Sequence, residues 1–73
     1  MSTMMSEEAK QRLVAENDEL QERIKKLGVF IDSDTFKTLP SEDTTDLVWQ
    51  YYHMTALGTI LERRIARHVT KAE

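Results

Sequence analysis

Three groups of side chains in this 73-residue chain have the chemistry to hold a ligand. Trp49, Tyr51 and Tyr52 offer flat faces of the kind on which single-strand binders stack bases. Lys25 and Lys26 form a basic pair able to meet a phosphate. Arg63, Arg64 and Arg67 would make a ring for a multivalent anion if copies of the chain gathered them around a symmetry axis, because clustered like charges favour a neutralising guest. Each group also has a plainer explanation. Aromatic residues at helical spacing usually pack in a core or interface, and cations near a helix C-terminus suit the helix dipole. Arg64 is set apart because it falls near the apolar stripe of its helix and not opposite it.

Catalytic sets are missing from the pattern. His53 and His68 lie fifteen residues apart on one expected helix, more than four turns, so they cannot share a metal within one chain. There is no cysteine nucleophile, and two glycines, Gly28 and Gly58, do not make a phosphate loop. Ser6, Ser33 and Ser41 stand where helix caps belong, and the many carboxylates read as solvated helix faces. No catalytic residue, metal site or cofactor is expected, and an enzyme is disfavoured. A net charge of −3 does not favour a sequence-independent grip on duplex nucleic acid. No apolar run is long enough to span a bilayer, and MSTMMSEEAK lacks the basic start and apolar core of a signal peptide. The expected location is therefore the cytoplasm, with which the absence of cysteine agrees.

The elements that must position these groups are two helices. Leu13, Leu20 and Leu27 interleave with Ile24 and Ile31 in series seven residues apart, and Asn17 fills the slot between Leu13 and Leu20. This is a heptad seam with one polar position. Glu19–Arg23 and Glu22–Lys26 are i,i+4 pairs in the favourable order. Ser6 followed by Glu7 and Glu8 marks the helix start, and the apolar Val29, Phe30 and Ile31 carry the helix through Gly28 to about Ile31 or Asp32. In the connector, Phe36 and Leu39 fit one short helical turn that tucks two apolar side chains under the loop before Pro40 stops it. Ser41 is the expected cap of the second helix, with Glu42 and Asp43 in its first turn. That helix should bury Leu47, Tyr51, Met54, Leu57, Leu61, Ile65 and His68, and Val48, Tyr52, Ala56 and Ile60 broaden its stripe beyond what one partner helix covers.

The expected fold is all-α: a flexible leader over 1–5, one helical-hairpin domain over 6–70 (helix 6–32, connector 33–41, helix 42–69) and a tail over 70–73. A chain this short without disulfides has little core of its own, so antiparallel hairpins are expected to assemble into a symmetric helical-bundle oligomer.

The string Leu20-x-x-Arg23-Ile24-x-Lys26-Leu27-x-x-Phe30-Ile31-x-Ser33-x-x-Phe36-x-x-Leu39-Pro40, with Met54-x-x-Leu57-x-x-x-Leu61-x-x-Arg64-Ile65 after it, resembles the small phage proteins of the crAss-phage 48-related family. These include the anti-CBASS sponges, which sequester the cyclic oligonucleotide messengers of bacterial antiphage signalling. The resemblance spans about Glu16 to Arg67. It implies a homohexamer in the host cytoplasm that binds cyclic dinucleotides such as cyclic GMP-AMP between two protomers, and cyclic trinucleotides on threefold axes, without cleaving them. Lys26 matches the basic residue of the dinucleotide pocket, with Lys25 beside it, and Arg64, with Arg67 beside it, matches the arginine directed at the trinucleotide. The family's stacking aromatic near the start of the first helix has no counterpart in Ser6 to Leu13, which moves that role to Phe30, Phe36 or a residue that the match does not place, with Met4 and Met5 as weaker substitutes. The alternative from the residues themselves is a small coiled-coil hairpin that serves as a structural or regulatory protein-interaction module.

Overall fold

A computed structural model describes residues 5–69, and the expected leader residues 1–4 and tail 70–73 lie outside this range. Three helices follow in order: α1 (Glu7–Ile31), α2 (Asp34–Lys37) and α3 (Ser41–His68). The described residues contain no strand. Helices α1 and α3 pack against each other along their lengths as a hairpin, with overall dimensions of 53 × 19 × 18 Å.

Local chemistry explains where each helix begins and ends. Ser6 has an extended backbone and its hydroxyl accepts a 3.0 Å hydrogen bond from the Ala9 N–H, satisfying one of the unpaired donors of the first turn. The helix then runs through Gly28 as the apolar pattern indicates. Ser33 caps α2 by accepting from the Phe36 N–H at 3.2 Å. Above this cap the rings of Phe30 and Phe36 meet edge to face, 6.0 Å apart at 89°. The expected short turn therefore forms, with Phe36 and Leu39 both half-buried.

The start of α3 differs from expectation. Pro40, not Ser41, occupies the N-cap position: its carbonyl accepts from the N–H groups of Asp43 at 3.0 Å and Thr44 at 3.1 Å. The fixed φ of proline, −57° here with an extended ψ of 151°, already aims the chain into the first turn, so the helix opens one residue early and the Ser41 hydroxyl makes no capping bond.

The core is a single seam. Leu13, Leu20 and Leu61 are buried, and Met5, Ile24, Met54, Ile65 and Val69 pack half-buried around them. Met5, assigned from sequence to a loose leader, thus joins the packed structure. Leu27, Ile31 and Asn17 lie half-buried on the same seam, and the Asn17 side-chain oxygen accepts from the Gln21 amide at 3.3 Å. Both glycines face the opposite helix. A Cβ on Gly28 would stand 3.3 Å from the Tyr51 ring, and one on Gly58 would stand 2.9 Å from the Gln21 amide nitrogen and 3.4 Å from the Ile24 Cδ1. Gly28 is thus placed for close approach of α3, not for ending α1.

Two expected members of the α3 buried face lie outside it: His68 is exposed and Leu57 is 43% exposed. Gly58 takes the place in the seam that Leu57 was assigned, which rotates Leu57 about 100° onto the flank. His68 is the last residue of the helix, and the next residue, Val69, takes the place against the core, which leaves His68 turned to solvent. The expected surface ion pairs also differ. Among the described residues the pairs are Glu7–Lys10 at 3.6 Å and Asp34–Lys37 at 3.7 Å, and neither Glu19–Arg23 nor Glu22–Lys26 closes. All four of the latter side chains are exposed, and so weak an attraction does not offset the entropy of holding them together.

Substitutions in the seam should separate its two devices. Leu61→Ala is expected to cost about 2–5 kcal/mol and to lower the thermal midpoint followed by circular dichroism. Gly58→Ala should be tolerated, since the Gln21 amide can swing aside while helix propensity improves by about 1 kcal/mol. Gly58→Val, whose extra methyl groups meet Ile24 and Leu20, should destabilise; a Gly58→Val melt matching the parent would refute the close approach.

Candidate ligand-binding site

The hairpin presents its aromatic and basic side chains at two ends. At the connector end, the last turns of α1 and the first turns of α3 border an open groove of about 490 Å³. Lys25, Gly28 and Val29 come from α1, and Tyr51 and Tyr52 from α3, and Asp32 also lines it. Helical geometry determines this membership. Gly28 lacks a side chain and so admits the Tyr51 ring, which is half-buried, and the next residue, Tyr52, turns outward to 62% exposure. The two rings meet at 6.2 Å and 67°. Lys25 lines the groove, whereas Lys26, one residue further round the helix, is exposed outside it. The structure thus separates two lysines that the sequence places side by side.

Phe30 and Phe36, the expected stacking residues, lie at this same end, in contact with each other. Phe36 also borders a shallower hollow of about 300 Å³, which it shares with Thr44, Thr45, Val48 and Trp49. Trp49 is 60% exposed and its ring lies nearly parallel to that of His53, 6.0 Å away at 27°.

The arginines occupy the other end. Arg63, Arg64 and Arg67 are all exposed and make no ion pair among the described residues. Arg64 stands thirteen residues beyond Tyr51, about 20 Å along α3, so one small ligand cannot touch both basic groups of the same chain. Basic charge is therefore available at two separate places. Among the described residues no group of three metal-ligating side chains converges, and no helix is long and apolar enough to cross a membrane.

One surface was only partly legible in the sequence. Trp49, Tyr52 and, at 50%, Ile60 are exposed on α3, giving that helix an apolar side that α1 does not cover, and Val29 on α1 is 68% exposed as well. The broad stripe of α3 signalled it, but spacing alone did not say which side α1 would take.

Comparison with protein-family models matches residues 7–67 to the family described as Sequestin. The match runs from the first residue of α1 to the penultimate residue of α3. No curated protein and no solved structure matches.

The packing of the two phenylalanines gives them a measurable structural share. Phe36→Ala is expected to cost about 1–2 kcal/mol, less than for a fully buried ring because Phe36 is half-exposed. Lys25→Ala should stay within about 0.5 kcal/mol of the parent. Equal thermal midpoints for the parent and Phe36→Ala would show that the ring pair does not hold the connector.

Proposed function

The chain belongs to the Sequestin family, and from that membership we propose that it binds cyclic oligonucleotide second messengers and withholds them, uncleaved, from the effectors of CBASS-type antiphage signalling. The family match over residues 7–67 carries this reading, since a family named for sequestration agrees with the resemblance to the phage sponges. The ligands are cyclic dinucleotides such as cyclic GMP-AMP, and cyclic trinucleotides. The protein acts in the host-cell cytoplasm as a homohexamer of hairpins and uses no cofactor.

The arrangement of charge supports two kinds of pocket. Lys26, with Lys25 nearby, meets the phosphates of a dinucleotide, and Phe36 or Phe30 supplies the ring against its base; Phe36 already borders an open hollow. Arg64, with Arg67 beyond it, faces a trinucleotide where three subunits meet. Exposed lysines and arginines that have no ion-pair partner among the described residues are free to form charge-assisted hydrogen bonds to phosphodiesters. Withholding a messenger requires affinity and abundance, and no acid, base or nucleophile. The uncovered apolar face supports assembly into a closed oligomer. It equally suits a second reading, a structural or regulatory hairpin that docks on another protein.

Calorimetry with cyclic GMP-AMP and with cyclic tri-AMP distinguishes these readings. Heat of binding is expected with at least one messenger, which chromatography should recover intact after the protein is denatured. Lys26→Ala should weaken dinucleotide binding at least tenfold and spare the trinucleotide, and Arg64→Ala should do the reverse. No heat with either messenger removes the sponge reading, and equal loss of both ligands in an assembled variant removes the two-pocket arrangement.

A further inference from the structure

Helix α3 has a second organised face, opposite the one it gives to α1. Trp49 and Arg67 lie eighteen residues apart, about five full turns, and so share one side of the helix. Ala56 and Ile60 fall between them on that side, and Tyr52 and Arg63 lie together along one flank. All six residues are exposed. The face is graded along its roughly 27 Å length. It is aromatic toward the connector, aliphatic in the middle and cationic toward the C-terminus.

A face graded in this way is complementary to its own reverse. We propose that α3 pairs with α3 of a second copy, antiparallel about a twofold axis level with Gly58. Trp49 then lies against the partner's Arg67, Tyr52 against the partner's Arg63, and Ala56 beside the partner's Ile60. A guanidinium over an indole or phenol ring is a favourable contact that strengthens as water leaves it. The Ala56 methyl leaves room for the partner's larger isoleucine, so a small side chain meets a large one twice across the axis. A parallel pairing would instead set arginine against arginine. Sliding the antiparallel pair by one turn would carry the rings off the cations. The covered side is the apolar one that the hairpin leaves in water, and a twofold contact uses it in both copies at once. Arg64 lies on the opposite flank from Arg63 and stays available to an anion, whereas this pairing takes Arg67 out of the proposed trinucleotide pocket and into the contact between subunits, which leaves Arg64 alone facing the ligand.

This inference names the surface through which the proposed assembly forms, and its test uses no messenger. The chain has no cysteine, so introduced thiols report only their own pairing. Ala56→Cys and Ile60→Cys proteins, mixed and oxidised, should give mainly the mixed disulfide, because those two positions are level across the axis while like positions are offset. Trp49 emission should be that of a buried indole in the assembled protein and shift to the red on dilution. Trp49→Ala and Arg67→Ala should each weaken self-association about tenfold or more, and the double variant should lose little beyond the worse single one. An assembled protein with water-exposed Trp49, or with like-to-like disulfides in excess, overturns the pairing while leaving messenger binding open. A folded monomer at low micromolar concentration overturns the pairing together with the oligomer.

Discussion

Two helices packed side by side share one seam, and a helix that is apolar on both sides can bury only one of them there. This limit governs the molecule. Helix α3 is 28 residues long and spends one side on α1, where Leu61 closes over Leu13 and Leu20. Three buried leucines contribute about 2 kcal/mol each, a small sum against the entropy of ordering two long helices. The second side, with Trp49 and Ile60 in water, is the reserve of apolar area on which further stabilisation can draw. Small chains without disulfides or metals commonly gain stability by association, and the proposed assembly follows from that rule applied to this surface.

The seam itself is positioned by residues that contribute little bulk. Gly28 and Gly58 let α1 and α3 approach, one beneath the Tyr51 ring and the other beside Gln21 and Ile24. The approach at Gly28 decides the fate of the neighbouring aromatics. Tyr51 is drawn against the backbone, so Tyr52 must face out over the groove that Lys25 borders. Helix packing and the lining of the candidate groove are therefore linked through a single missing side chain.

Much of the fold was legible because helices advertise themselves by period. The sevenfold spacing from Leu13 to Ile31 located α1, the hydroxyls of Ser6 and Ser33 located two starts, and the Phe36–Leu39 turn followed from the proline that ends it. The misreadings share a cause: competition between neighbours that spacing does not encode. Ser41 lost the cap to Pro40, whose ring fixes the required backbone angle. Leu57 lost the seam to Gly58, because close approach rewarded the smaller residue. The ion pairs expected on α1 stayed open because exposed charges gain little by meeting. For the candidate ligand surface, the sequence supplied residue types and the structure supplied neighbours. It put Lys25 but not Lys26 on the groove and placed Arg64 at the far end of α3. In the proposed assembly, which of these side chains converge on one ligand depends on contacts between chains, and no periodicity within one chain encodes those.

The central claim is that this hairpin covers its second apolar side with further copies of itself. Sedimentation velocity of the unliganded protein at low micromolar concentration tests it most directly. The account predicts one discrete species with a mass several times that of the chain, unchanged on further modest dilution. A cooperatively folded species sedimenting at the mass of one chain would contradict it.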